Sequence, residues 1–170
     1  MRRLLHVLTL AACACACACA PAPCETCPAQ PTEVEVSVCV DSAFTPAEAD
    51  AAERACDIWT SALCGLVTLQ PLAVDGAAPP GWCDVIVLQP RGDLAAAFES
   101  HHPGAVSTLA PRVAFVMAGV TDARIYAHEI GHALGVSHGD GLMAWRNPSS
   151  CVTRRAAVLA AIKTARKDRR

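Results

Sequence analysis

Four residues able to do chemistry fall within one short run, His128-Glu129-Ile130-Gly131-His132-Ala133-Leu134-Gly135-Val136-Ser137-His138. On a helix, residues four apart lie one turn apart on the same face, so His128 and His132 can offer two imidazole nitrogens to a single ion. Glu129 is one residue on and projects about 100° to the side, towards a water held by that ion. Gly135 stands where the helix must stop. Glycine tolerates positive φ, so the chain can turn sharply there and bring His138 back as a third ligand. Three neutral nitrogen ligands leave a fourth position open, which is the arrangement of a catalytic zinc site and not of a closed structural one.

The pattern H-E-x-x-H-x-x-G-x-x-H resembles the signature of the metzincin zinc endopeptidases. The resemblance implies one catalytic Zn2+ on His128, His132 and His138, with Glu129 as general base. It also implies a methionine turn beneath the ion, for which Met143 in Leu142-Met143 is the candidate. The implied fold is α+β and zincin-like: a mixed twisted sheet with an antiparallel edge strand, an active-site helix and a C-terminal helix. The order of elements is most similar to small bacterial matrixin-like members. In such a fold 105–109 is the edge strand, with Ala105, Val106 and Ser107 pairing with an extended peptide or protein substrate, and the segment after Met143, with Trp145 and Asn147, walls the substrate pocket. Two features depart from the family. Only four residues separate His138 from Met143, and Trp145 stands where some members carry a tyrosine. No cysteine-switch propeptide is recognisable, and nothing in the sequence supports a calcium site. A rival to the peptidase is a non-catalytic zinc-binding envelope lipoprotein that binds a protein partner through the same cleft.

The elements that must position these residues are legible as patterns. Val34, Val36, Val38 and Val40 alternate, which predicts a strand over 33–40. Thr45 can cap a helix that opens with Pro46 and Glu48, and Ala52, Cys56, Trp59 and Leu63 form one stripe along it. Gly65 is expected to end that helix. A strand over 66–72 and a Gly/Pro-rich loop over 75–81 follow. The run Val85-Ile86-Val87-Leu88 is unbroken, as in a strand covered on both faces. A short helical turn over 93–100, strands at 105–109 and 113–117, a helix from about Asp122 capped by Thr121, and a last helix over 152–166 complete the body. Strands interleaved with helices define an α/β or α+β layer structure.

The N-terminus reads as an address. Met1-Arg2-Arg3 precedes an apolar run ending in Leu10-Ala11-Ala12-Cys13. That ending resembles the lipobox of bacterial lipoproteins, which implies cleavage before Cys13, lipidation of its sulfur and attachment to a lipid bilayer. Ala14 weakly favours the outer membrane; the simpler alternative is an ordinary signal cut elsewhere and a secreted protein. The chain thus divides into a lipoprotein signal peptide (1–12), a Cys/Ala/Pro-rich tether (13–32) and a metzincin-like catalytic domain (33–170). Cys13, Cys15, Cys17 and Cys19 alternate with alanine and read as tether rather than as a thiolate metal site.

Composition agrees. The chain has 170 residues, 53% apolar and 18% charged, with a net charge of -2, which suits one globular domain and excludes a disordered chain. A pI near 6.3 gives no support for nucleic acid as a partner, and a monomer is expected. Charge is uneven: residues 13–150 hold 5 basic and 15 acidic side chains, while 151–170 hold 7 basic and 1 acidic. The basic tail reads either as a solvated helix face or as a contact for anionic lipid or for the acidic body. Eleven cysteines point to an oxidising compartment. Cys24 and Cys27 are expected to form a local disulfide, and Cys64 and Cys83 are expected to pair. The odd count in the body leaves one thiol free or joined to the tether. His101 and His102 read as loop residues rather than as a second metal site.

Overall fold

The computed structural model describes residue 27 and residues 34–74, 82–92, 112–139, 141–144 and 155–167. The expected signal, most of the tether, the 93–100 turn, the 105–109 strand with Ala105, Val106 and Ser107, His101, His102, Trp145, Asn147 and Cys151 lie outside them. The elements run β1 (Val34–Asp41), α1 (Pro46–Ala62), β2 (Val67–Val74), β3 (Val85–Leu88), β4 (Val113–Phe115), α2 (Ala123–Ala133), a single 3-10 turn (Gly141–Met143) and α3 (Arg155–Lys167). The fold is α+β.

The strand order is β2-β1-β3-β4, and every described pairing is parallel. This differs from the mixed sheet expected from sequence: among the described residues both edges, β2 and β4, are parallel strands, and the segment expected as the antiparallel edge, 105–109, lies outside them. Each parallel neighbour demands a crossover, and α1 supplies the one between β1 and β2.

Alternation on the strands builds the core. Val34, Val36, Val38 and Val40 of β1, Val67 and Leu69 of β2, and Val85 and Val87 of β3 share one cluster with α1, α2 and α3. Ile86 and Leu88 are only half-buried, which corrects the reading of β3 as covered on both faces. The described helices are gathered on one side of the sheet, so the unbroken apolar run is buried on alternate residues only.

Helix α1 begins with a capping box. The Thr45 hydroxyl accepts from the Glu48 amide at 3.4 Å, and Glu48 Oε2 accepts from the Thr45 amide at 2.7 Å. Pro46 sits at the first helical position, where its missing N–H costs nothing. The helix buries Ala51, Ala52, Ala55, Cys56 and Trp59. Its other end is clamped, since the amides of Cys64 and Gly65 return to the carbonyls of Ser61 and Thr60 at 3.0 and 2.8 Å.

Two disulfides join described cysteines, Cys27–Cys64 and Cys39–Cys83, with Cα–Cα separations of 5.1 and 5.8 Å. The expected Cys64–Cys83 and Cys24–Cys27 pairs are therefore both corrected. Cys83 leads into β3, which lies beside β1 and not beside the end of α1, so its nearest thiol is Cys39. Cys64 then takes a partner from the tether. Cys56 is free and buried in the core, where burial first, and then Asp57 and Glu53, push its thiol up to about 12.

Candidate metal centre

The three histidines come from one helix and the turn that ends it. Helix α2 is capped by Asp122, whose carboxylate accepts from the Arg124 amide at 3.0 Å, so the cap is one residue later than the expected Thr121. The helix packs on α1 and β4. Trp59, fully buried on α1, donates its indole N–H to the carbonyl of Ala127 at 2.7 Å, one residue before His128. The approach to α2 is fixed by two further contacts. Glu48 Oε1 accepts from the Gly119 amide at 2.5 Å, and the Tyr126 hydroxyl donates to the carbonyl of Val120 at 3.1 Å. Burial opposes ionisation of Glu48, but the hydrogen bonds from Thr45 and Gly119 outweigh it and hold the carboxyl below its ordinary value. Burial pushes the Tyr126 phenol up.

The helix stops by a Schellman turn. The amides of Gly135 and Val136 bond the carbonyls of His132 and Gly131 at 2.8 and 2.9 Å, and Gly135 has φ +85°. A side chain at Gly135 would be strained in this left-handed conformation. The turn reverses the chain and sets the His138 ring beside the other two. His132 Nε2 lies 3.2 Å from His128 Nε2 and 3.0 Å from His138 Nε2.

Backbone carbonyls decide which nitrogens carry hydrogen. His128 Nδ1 lies 3.1 Å from the Leu142 carbonyl and His132 Nδ1 lies 3.0 Å from the Val136 carbonyl. A carbonyl can only accept, so each Nδ1 is the donor and each Nε2 keeps its lone pair. Two such lone pairs 3.2 Å apart cannot hydrogen-bond to each other while both rings are neutral. A cation between them satisfies both. Ligands 2.0–2.1 Å from a tetrahedral zinc stand about 3.3 Å apart, within a few tenths of the two spacings that His132 makes. The donor set and its spacing therefore fit zinc. One ligand atom from each of His128, His132 and His138 lies within 4.8 Å of the others, which makes them a group that could hold a metal ion.

Electrostatics favours neutral imidazoles. Burial depresses His128, partly offset by its bond to Leu142, with His138 adding to the depression. Burial, and then His128 and His138, bring His132 down to about 4. Neutral rings are the form that binds metal. Glu129 is 6% exposed, its Oε2 has no hydrogen-bond partner among the described residues, and burial pushes its carboxyl up to about 7. His138 is exposed, so the group is buried on one side and open on the other.

The methionine expected below the site is present as packing. Met143 is buried in the 3-10 turn, its carbonyl accepts from the Gly139 amide at 2.9 Å, and its sulfur lies against Gly131. The turn thus presents Leu142 to His128 and Met143 to the underside of α2. Sequence reasoning missed several of these supports: Glu48, the carbonyls of Leu142 and Val136, and the packing of Trp59 and Met143 on Gly131. Only Glu48 had a sequence signal, as the third residue of the capping box, and that signal says nothing of Gly119.

An α+β fold in which one helix and its closing turn gather three imidazoles defines a candidate metal centre. No family model and no curated protein matches the sequence. Among solved structures the chain is similar to archaemetzincin from Methanopyrus kandleri, at 12% identity over 76% of this chain and 96% of that one, with a TM-score of 0.47.

Proposed function

We propose that the protein is a zinc-dependent endopeptidase with His128, His132 and His138 as metal ligands and Glu129 as general base. The observation that carries this reading is the convergence of three imidazoles, two of them locked by backbone carbonyls with their Nε2 lone pairs facing inward. A peptide as substrate is supported by the resemblance of 128–138 to the metzincin signature.

When bound, zinc supplies Lewis acidity, lowering the pKa of a coordinated water towards 7 and polarising a carbonyl. His128 and His132 remain neutral and fixed in orientation, because their Nδ1–H groups stay on Leu142 and Val136. The Glu129 carboxylate takes a proton from the attacking water and delivers it to the leaving amine. Among the described residues its Oε2 has no partner to compete for that proton. Residues 105–109 pair with substrate backbone in this reading, and Trp145 and Asn147 shape the pocket. Lipid attachment at Cys13, supported by Leu10-Ala11-Ala12-Cys13, keeps the catalytic body at the bacterial envelope.

The test is a peptide-library digest with the zinc-loaded protein. Cleavage that a chelator abolishes and added zinc restores is the expected result. A protein that binds one zinc ion and cleaves no peptide is the non-catalytic zinc-binding lipoprotein.

A further inference from the structure

The C-terminal helix and the tether meet on the same part of the molecule. Cys27 is bonded to Cys64, just past the end of α1. Arg155, at the start of α3, donates its Nε–H to the carbonyl of Ala62 at 3.3 Å, and its Nη2 lies 4.0 Å from Cys27 Sγ. The point at which the N-terminal segment is pinned to the body is therefore flanked by the first turn of α3.

Helix α3 is anchored from one side only. Val158 and Ile162 are buried in the main core, with Leu159 and Ala161 packed beside them. The opposite stripe, Ala156, Ala160, Lys163 and Lys167, is exposed, at a four-three-four spacing that keeps it on one face. The stripe is made of two alanines and two lysines. The surrounding stretch 151–170 carries seven basic residues and one acidic residue, against the acidic excess of 13–150.

We propose that the outer stripe of α3, the helix whose first turn meets the pinned tether, is a docking surface for an anionic bilayer. The proposal rests in part on the reading of Cys13 as a lipid-bearing residue. Charge complementarity selects the partner. An anionic surface attracts the cationic stripe and repels the acidic body, so the molecule is oriented as well as held. The missing aromatic residues on this stripe argue for adsorption at the headgroups rather than insertion. In the lipid-anchored reading the acyl chains at Cys13 supply the hold, and the stripe's part is to set how the body lies against the surface.

The experiment uses the processed form that the lipobox implies, beginning at residue 13 and carrying Cys13→Ser so that no acyl chain contributes. Its partition is measured onto vesicles of phosphatidylcholine alone and of phosphatidylcholine mixed with phosphatidylglycerol. Binding is expected only to the mixed vesicles and should weaken steeply with added salt. It should fall about tenfold or more when Lys163→Glu and Lys167→Glu are combined. Equal binding to both vesicle types, or unchanged binding of the double variant, overturns the proposal. Self-association of the protein that the same two substitutions abolish also overturns it, because the stripe then serves a second copy. Zinc content and peptidase activity are recorded on the same samples. The double variant should keep both, and a wild-type protein that binds vesicles but lacks activity counts against the peptidase and not against this surface.

Discussion

Gly131 and Met143 occupy a space that has no room for one more carbon. A Cβ on Gly131 would overlap Met143 Sδ and stand 2.7 Å from Trp59 Cζ2. The methionine end can swing away, but the indole cannot, since Trp59 is fully buried and its N–H is held by Ala127. Gly131→Ala should therefore destabilise the protein by about 1–3 kcal/mol, although alanine is the better helix former by about 1 kcal/mol. Denaturant unfolding reads this directly. In a double-mutant cycle with Met143→Ala, the double variant should lose less than the sum of the two single losses, by only part of the Gly131→Ala cost, because the clash with Trp59 remains.

Replacing any one of His128, His132 or His138 by alanine should weaken zinc binding by on the order of a hundredfold or more. Metal analysis after dialysis against a competing chelator measures it. Zinc should also raise the unfolding temperature of the wild-type protein, as expected for an ion bound by the native state only, and chelation should reverse the rise. A triple-alanine variant should show neither effect.

Glu129→Gln should leave zinc content unchanged and lower kcat by about two to four orders of magnitude, since the amide cannot take a proton. Equal turnover by this variant and by wild type on a peptide library would remove Glu129 from the mechanism.

Glu48 predicts a pH dependence of stability. Its native carboxyl lies below the ordinary value of 4.5, held there by Thr45 and Gly119. A native value below the unfolded one stabilises the fold at pH above 4.5, and the gain disappears as pH falls below 4.5 through the native value. Glu48→Gln should cost about 1–3 kcal/mol at pH 7, and the gap from wild type should narrow in acid. Urea midpoints from pH 7 to pH 3 test both statements.

Non-reducing peptide mapping should find Cys27 linked to Cys64 and Cys39 linked to Cys83, with Cys56 unmodified until the protein is unfolded. A Cys64–Cys83 peptide would reinstate the pairing expected from sequence. Replacing the Cys39–Cys83 pair by alanines should cost about 2–4 kcal/mol, the usual range for a closed loop of this length.

What the sequence made legible was local. The start of α1 is written in Thr45, Pro46 and Glu48, the strand β1 in four alternating valines, and the bend that returns His138 in Gly135. Each of these depends on neighbours within a few positions. The supports of the site are different in kind. The carbonyls that orient His128 and His132 belong to Leu142 and Val136, and a carbonyl carries no side-chain identity that a pattern could announce. Glu48 reaches Gly119 across 71 positions, and Trp59 reaches Ala127 across 68. Disulfide pairing failed for the same reason. Cys64 and Cys83 are close along the chain, but the strand order puts Cys39 beside Cys83 instead.

The Cys27–Cys64 bond also sets the length of a leash. Along the chain, Cys27 is fourteen residues from Cys13, whereas Val34, where the body begins, is twenty-one. At about 3.5 Å per residue these correspond to reaches of about 50 Å and about 75 Å. For a body tied down by Cys13, the shorter leash raises its local concentration against targets on the same surface by about twofold. Reduction of one disulfide would loosen the leash and leave the three histidines untouched.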